Sequence, residues 1–396
     1  MEFFESNTAS STCRDINNCR TLHTVVISCL ATLVACTWVS VHPNVPSPHH
    51  GKIRLAIHRM KLMVLATIAP EVIVAWALRQ RMVALQLAKE HTMTMTHGFF
   101  VSMGGFVTAK GQVLHPITPH ALRSRPDIIN GIHEISGDEI LDKSKGDEIT
   151  KGLALIQTAW FIAQCIARLC RGLPLIELEV ITLAFSFLNL VVRVIWWHKP
   201  LDVRFPIRIG PAIQRSLLSD PPPRREPFAP DWIKAIEFTY NLVLNSAVVM
   251  FGGETDEEDI PKNAVRVPTL WAGRLHPRDR GQAAAFAIFL AMSFGAIHCI
   301  AWNSSFPTMM ERALWRITSV TVTVVPFIFF LDAAFMLNVD VPEWYHDLTW
   351  WIVLPLGVCS YVVARGVLMV LSFVALRSLP AEVYTDIDWT SYIPHI

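Results

Sequence analysis

The acidic segment over residues 137–151, GDEILDKSKGDEITK, carries residue types that could hold a metal ion. Asp138 and Asp142 are four residues apart, so a helix would place both carboxylates on one face, and Asp147 follows shortly after. Carboxylate oxygens are ligands that Mg²⁺ prefers, and a bound Mg²⁺ could in turn hold a diphosphate. Membrane prenyltransferases and related cyclases use a DxxxD pattern in this way, but they carry two acidic motifs, whereas this sequence shows one.

A structural interpretation of the same residues competes with the metal site. Ser136 is a good N-cap, and acids in the first turn of a helix are favourable beside its N-terminus. Lys143, Lys145 and Lys151 would then mark the water boundary in front of the apolar segment that follows. The sequence favours this interpretation, and the metal site stays open as the alternative.

Five polar or charged residues lie inside apolar segments and are candidates for an intramembrane site: Glu71, Asn189, Arg193, Asp332 and Arg365. A charge at the middle of a bilayer costs about 2.5–3.5 kcal/mol on insertion scales, so such residues usually face a bundle interior and pair. One interpretation is a structural ion pair of Glu71 with Arg365 or Arg193. The other is a polar cavity that binds or conducts a small solute or ion.

Apolar segments must position these residues, and the sequence has seven of them. They cover residues 22–41, 62–78, 153–169, 180–197, 283–302, 314–335 and 348–376. About 20 residues span a bilayer, and spans must be helices because lipid offers open backbone groups no hydrogen-bond partner. The sequence therefore predicts an all-α polytopic transmembrane helix bundle of about seven spans.

Residues 232–251 are a further candidate element. Lys234, Glu237, Asn241 and Asn245 fall on one face of a helix, and the opposite face is apolar. We interpret the segment as an amphipathic helix that lies at the membrane interface, with an eighth span as the alternative.

Charges near the segment ends predict an orientation. The connection between the first two segments holds Lys52, Arg54, Arg59 and Lys61, and the turn after the third holds Arg168 and Arg171. The connection over residues 338–347 has acids and neither Lys nor Arg. Because short basic connections belong in the cytoplasm, these charges fit seven spans with the N-terminus outside.

The composition also indicates a membrane protein. Of 396 residues, 52% are hydrophobic and only 17% are charged, and the mean hydropathy is +0.38. A soluble chain carries about 25% charged residues. The net charge of +1, without a basic stripe, excludes an electrostatic footprint for nucleic acid. The expected partners are therefore the lipid bilayer and a small-molecule or ion ligand.

Six of the eight cysteines lie in apolar segments, where they are expected to act as small hydrophobic residues. Cys13 and Cys19 lie in the polar N-terminal tail and are the candidate disulfide pair, which requires an oxidising compartment. The sequence has neither a CxxC pattern nor a phosphate loop, and it predicts no cofactor.

These features divide the chain into seven regions. They are a polar N-terminal tail (1–21), the first two spans (22–78), an extramembrane loop with the acidic segment (79–151), the third and fourth spans (152–197), an extramembrane Pro-rich loop with the amphipathic helix (198–282), the last three spans (283–376) and a C-terminal tail (377–396).

Seven short stretches resemble a group of uncharacterised fungal multi-pass membrane proteins labelled UsgS-like. They are NCRT at 18–21, ACTWVSVHPN at 35–44, KLMVLATIAPE at 61–71, THGFFVSMGGF at 96–106, DKSKGD at 142–147, WWHKPLDV at 196–203 and IPHI at 393–396. The resemblance implies an integral membrane location. It implies no activity, substrate or catalytic residue.

Three functional classes follow from the sequence. The favoured one is non-enzymatic transport or sensing of a small solute through a polar intramembrane cavity. The second is a membrane-embedded metal-dependent enzyme that acts on an isoprenoid diphosphate or a lipid. The third is a structural or adaptor protein of the membrane.

Overall fold

The computed structural model of the protein describes residues 19–39, 41–47, 51–110, 113–144, 148–210, 260, 264 and 266–387. The chain divides into two compact units. The first, here called the helical unit, comprises Met1–Trp38, Leu153–Leu190 and Ala291–Ile396. The second, here called the mixed unit, comprises Val39–Gly152 and Val191–Leu290.

Helices dominate the described part of the chain. In chain order they are α1 (Leu22–Val34), α2 (Lys52–Ile68), α3 (Pro70–Glu90), α4 (Met95–Ser102), α5 (Pro119–Ser124), α6 (Pro126–His133), α7 (Gly137–Asp142), α8 (Glu148–Cys170), α9 (Glu177–Ile195), α10 (Pro277–His298), α11 (Met309–Asn338), α12 (Glu343–Leu348) and α13 (Leu354–Val374). Short π- or 3₁₀-helical turns extend four of them, at Ala35–Val39, Cys299–Asn303, Thr349–Val353 and Ala375–Arg377.

Five helical stretches in the described residues are long and apolar enough to cross a membrane. They are Gly152–Cys170, Glu177–Ile195, Arg278–Asn303, Met309–Met336 and Glu343–Arg377. Each coincides with a segment predicted from the sequence, and a shorter apolar helix, Leu22–Trp38, coincides with the first predicted segment. The prediction of a helical protein with several apolar helices of membrane-spanning length is therefore confirmed.

The predicted second segment, residues 62–78, is not one continuous helix. Helix α2 ends at Ile68, α3 begins at Pro70, and the two helices are bent by 110° at Ala69. The ring of Pro70 disfavours a helical conformation in the residue before it, and Ala69 adopts φ −142°, ψ 70°. The apolar run was correctly recognised, but the proline divides it between two helices of different direction.

The mixed unit also contains strands that an all-α prediction omits. Strand β1 (Phe106–Lys110) pairs antiparallel with β2 (Val113–Pro116) and parallel with β3 (Ile207–Ile209). Residues of the predicted extramembrane loop 79–151 thus build a folded core. The buried side chains of this core include Val83, Leu87, Phe100, Met103, Phe106, Ile117, Leu122, Ile132, Ile140, Val203, Ile207 and Leu275.

The helical unit has closely packed helices with apolar outer faces. Gly295 of α10 lies against the backbone of Thr323, and Gly357 of α13 lies against the ring of Phe329, so neither site has room for a Cβ atom. Small residues permit such close approach of helices in membranes. Large hydrophobic side chains are exposed along α11 and α13, among them Ile317, Val320, Val324, Ile328, Leu331, Phe335, Val363 and Val370.

Candidate functional site

A cavity of about 160 Å³ lies in the helical unit where several helix ends meet. Its lining residues are Arg20, Thr24, Val25, Ser28, Phe161, Gln164, Arg168, Glu179, Asp386 and Ile387. Cavities of roughly 150 Å³ in proteins hold a molecule of benzene size. The cavity therefore has room for a small solute.

Four segments bring these side chains together. Arg20 directly precedes α1, whose N-cap Thr21 accepts a hydrogen bond from the Thr24 amide at 3.2 Å. Arg168 lies in the last turn of α8, and Glu179 lies in the first turn of α9. The C-terminal segment is the fourth, and it is held beside α1 by a hydrogen bond of 2.9 Å from the Arg20 amide to the Tyr384 carbonyl.

Arg20 is neutralised within the protein. Its guanidinium forms a two-contact ion pair with Glu179, with Nη2 donating to Oε2 at 3.1 Å. Its Nε donates to the Val383 carbonyl at 2.7 Å. The Glu179 carboxylate also accepts a hydrogen bond from the Ile176 amide at 3.0 Å, so the charged groups of Arg20 and Glu179 both have partners within the protein.

Arg168 differs from Arg20 in its partners. Its Nη1 donates to the Thr385 carbonyl at 2.7 Å, and its Nη2 donates to the carbonyls of Pro174 and Val383 at 3.0 and 3.2 Å. All of these acceptors are neutral. The Nε–H group is buried without a hydrogen-bond partner among the described residues, and only 2% of the residue is exposed.

A buried donor without an acceptor costs about 1–3 kcal/mol. A bound acceptor that reaches this Nε–H group would remove that cost, and an anionic acceptor would form the stronger, charge-assisted hydrogen bond. The carboxylates of Glu179 and Asp386 also act on the guanidinium charge. The hydroxyls of Thr24 and Ser28 and the Gln164 amide can supply further hydrogen bonds, and Asp386 can accept an ammonium group. The arrangement is thus suited to holding a small charged solute.

The mixed unit contains a second buried polar cluster, centred on Lys199. The Lys199 ammonium donates to the His42 carbonyl at 2.5 Å and to Gln80 Oε1 at 2.8 Å. It lies over the rings of Trp76 and Trp196, at 4.5 and 4.0 Å from their centroids. Burial holds the pKa of Lys199 well below its usual range.

Neighbouring groups complete this cluster. The carbonyl of Trp271 accepts hydrogen bonds from Trp76 Nε1 at 2.9 Å, from Gln80 Nε2 at 3.1 Å and from Asn44 Nδ2 at 3.2 Å. Gln80 Nε2 also donates to Asn44 Oδ1 at 2.8 Å. The cluster ties residues that are distant in sequence to α3, which indicates a role in the architecture of the unit.

The predicted intramembrane candidates of the helical unit occupy separate sites. Asn189 is buried and donates to Cys36 Sγ and Thr158 Oγ1, both at 3.3 Å. Arg365 is buried over the ring of Phe294, 4.1 Å from its centroid. Asp332 accepts a hydrogen bond from the Tyr345 hydroxyl at 2.8 Å.

The other two candidates belong to the mixed unit. Glu71 is buried in the first turn of α3, directly after the break at Ala69. Arg193 is half-buried in α9. None of the five candidates lines the cavity described above. The pairing of Glu71 with Arg193 or Arg365 stays a prediction.

The acidic segment forms the start of a short helix. The Ser136 hydroxyl accepts the Glu139 amide at 3.1 Å, which confirms the predicted N-cap of α7. Asp138 and Asp142 are exposed, and Asp147 lies outside the described residues. Within the described chain, no group of three or more His, Cys, Asp or Glu residues is placed to hold a metal ion.

Two remaining predictions fall partly or wholly outside the described residues. Cys19 is disulfide-bonded, as expected, but Cys13 is not described, so their pairing stays a prediction. The amphipathic segment 232–251 also lies outside the described residues.

Comparison with known sequences places the chain in a family. A family model described as a family of unknown function, DUF8562, matches residues 4–93, 84–219 and 237–396. The chain belongs to this family. No curated protein and no solved structure matches it significantly. Because the function of DUF8562 is unknown, membership assigns no activity to this chain. The resemblance to UsgS-like proteins stays a prediction.

One residue of the cavity, Arg168, is conspicuous in the sequence, although the sequence does not assign it to a site. Arg168 stands out as the single charge in the apolar stretch 153–169, and it was assigned to the following turn. The structure shows its guanidinium buried against the C-terminal segment instead. Its isolation among apolar residues was the available signal. Its partners at Val383 and Thr385 are more than 200 residues away and could not be inferred locally.

Proposed function

We propose that the protein crosses a membrane six times. As crossings we take the five long apolar helices and the shorter apolar helix Leu22–Trp38, and we place the bent pair Lys52–Ile68 and Pro70–Glu90, which is also apolar enough to cross, outside the bilayer core. The contact between the two ends of the chain supports an even number: Cys19 forms a β-bridge with Thr385, and Arg20 bonds to Tyr384. Seven crossings would separate these residues by the thickness of the bilayer, about 30 Å.

The same argument applies within the chain. Arg20 at the start of α1 contacts Glu179 at the start of α9, and both line a cavity with Arg168 at the end of α8. An even number of crossings therefore separates Arg20 from Glu179. Helices α1 and α8 supply two crossings if the bent pair α2 and α3 does not cross. The two long connections, 39–151 and 196–276, then emerge on the face opposite the termini.

Charge and cysteine chemistry support an orientation with both termini outside. Basic residues flank the helices where the long connections begin and end: Lys52, Arg54, Lys151, Arg278 and Arg280. Lys and Arg within about 15–20 residues of a span favour the cytoplasm. The disulfide at Cys19 fits an oxidising compartment for the opposite face. Three connections run against this orientation: the basic turn at Arg168 and Arg171 and the basic residue Arg312 lie outside, and the acidic turn near Asp340 lies inside.

We propose that the helical unit binds a small charged solute in the cavity at Arg168 and acts as a sensor. The unpartnered Nε–H of this buried guanidinium carries the proposal. The binding site of a transporter typically lies near the bilayer midplane. This cavity lies at helix ends, beneath the C-terminal segment, so ligand binding would act on the contact between the termini. Sensing is therefore favoured over transport.

The lining indicates the ligand class. Arg168 would take a carboxylate or phosphate group, and Asp386 would take an ammonium group if the solute has one. The apolar side chains of Val25, Phe161 and Ile387 limit the polar contacts. A small carboxylic acid or a small amino acid fits these features and the volume.

A thermal-shift experiment tests the proposal. Full-length protein in lipid nanodiscs is heated in the presence of phosphate, small carboxylic acids and small amino acids. We expect at least one solute to raise the Tm by several degrees, because a ligand at 100 times its Kd stabilises the folded state by about 2.7 kcal/mol. The Arg168→Lys variant keeps the charge but loses the Nε–H, and should lose the shift.

Arg171→Lys is the matched control, since Arg171 is exposed and does not line the cavity. It should respond to the solute like the wild-type protein. If no solute of these classes raises the Tm, or if Arg168→Lys responds like the wild-type protein, the proposed binding function is wrong.

A further inference from the structure

Helix α2 presents an apolar stripe to its surroundings. Five large side chains recur at helical spacing along one face of the helix, and each is between 37% and 79% exposed. They are Ile53, Ile57, Met60, Val64 and Ile68. The opposite face is buried through Leu62, Leu65 and Ala66. The helix is therefore fixed to the protein along one side and offers a continuous apolar surface on the other.

Basic residues border this stripe. Arg54 and Lys61 are exposed, and on a helical projection they lie beside the stripe, while the exposed Lys52 is the first residue of the helix. Arg59 is already paired with Asp202 at 3.1 Å. An apolar stripe with flanking bases is the pattern of a helix that lies in the headgroup layer of a membrane.

A neighbouring arginine adds a second, independent observation. Arg266 lies close enough to Arg54 for the two charges to repel, and burial together with this neighbour lowers the pKa of Arg266. Among the described residues, neither arginine has a carboxylate within ion-pair distance. A phosphate group near these two guanidinium groups would reduce their repulsion.

We propose that α2 docks on an anionic phospholipid surface, with its apolar stripe among the acyl chains and with Arg54 and Arg266 at a lipid phosphate. The bend of 110° at Ala69 supports this role, because it turns α2 away from the direction of the buried helix α3. A second copy of the chain fits less well, since stripe-to-stripe packing would bring the same basic residues together. The cytoplasmic leaflet, where anionic lipids concentrate, is the matching surface, and this choice of leaflet rests on the proposed orientation with residues 39–151 in the cytoplasm. The proposal does not depend on the solute cavity.

Site-specific fluorescence in nanodiscs tests the docking. An environment-sensitive dye is attached to full-length protein at Ile57→Cys on the stripe, in a background with Cys170→Ser, Cys299→Ser and Cys359→Ser. The matched control places the dye at Ala56→Cys, which is also exposed but lies beside the stripe. We expect blue-shifted emission and strong quenching by acyl-chain quenchers at position 57 in discs with anionic lipid, and markedly weaker quenching at position 56.

The charge requirement is tested in the same system. With Arg54→Gln and Lys61→Gln, the extra quenching at position 57 in anionic over neutral lipid should disappear. Equal quenching in both lipids before these substitutions would overturn the anionic specificity. Water-like emission at position 57 in every lipid, from protein that elutes and melts normally, would overturn the docking. A blue shift that appears in lipid-free detergent and depends on protein concentration would assign the stripe to a second copy.

Discussion

Lys199 is held away from water in the fold, and its side-chain nitrogen contacts a carbonyl, an amide oxygen and two indole rings. Burial disfavours its charged form, so its pKa is lowered in the folded state. The unfolded chain then binds the proton more readily than the folded protein does. Stability should therefore rise with pH between the lowered folded pKa and the unfolded value of about 10.4.

The Lys199→Met variant checks this expectation. It should lose most of this rise in Tm between pH 7 and pH 10, because the titrating group is gone. At pH 10 it should also be less stable than the wild-type protein by about 1–3 kcal/mol, since the His42 carbonyl loses its donor. Lys89→Met, at an exposed position, is the control and should keep the wild-type pH dependence. A Lys199→Met protein with an unchanged pH profile would show that Lys199 is charged when buried.

At the scale of single elements, α7 shows how one pattern supports two hypotheses. The Ser136 cap and the exposure of Asp138 and Asp142 explain the acids as the favourable start of a helix. The metal-dependent enzyme on an isoprenoid diphosphate remains a separate hypothesis that this placement does not support. Its acids would have to converge on one ion.

The α7 interpretation predicts a null response to metal. Mg²⁺ together with a prenyl diphosphate should leave the Tm of the wild-type protein and of Asp142→Asn equally unchanged. Ser136→Ala should lower stability by about 1 kcal/mol through loss of the cap. A metal-dependent Tm rise in the wild-type protein that Asp142→Asn abolishes would restore the enzyme hypothesis.

At the scale of the whole molecule, the contact of Arg20 with Tyr384 and Glu179 makes the membrane topology testable. With six crossings and the proposed orientation, tags on both termini should be accessible to antibody on intact cells. Native Cys170, which is exposed in the described structure, should react with an impermeant thiol reagent from outside. Ala56→Cys should react only after permeabilisation.

The seven-span alternative predicts a different pattern. It places the C-terminal tag and Cys170 in the cytoplasm, while the N-terminal tag stays outside. Protection of Cys170 and the C-terminal tag in intact cells, combined with an exposed N-terminal tag, would reject the six-span proposal.

The sequence by itself determined the features that depend on local composition. Runs of apolar residues near 20 in length specified the long helices, and Ser136 specified the start of α7, because these signals act within one or two turns. Pro70 was also visible, but a proline permits either a kink within one span or a change of direction. The structure shows a change of direction, with a bend of 110° between the two helices.

Tertiary structure alone decided which distant residues meet. Arg168 joins Val383 and Thr385, Lys199 joins His42 and Gln80, and β1 pairs in parallel with β3 about 100 residues later in the chain. Apolar periodicity identifies which face of a helix is buried but not its neighbour, since many pairings bury similar area. The cavity at Arg168 and the junction of the termini arise only from such pairings, which is why the sequence pointed to Glu71, Asn189 and Arg365 instead.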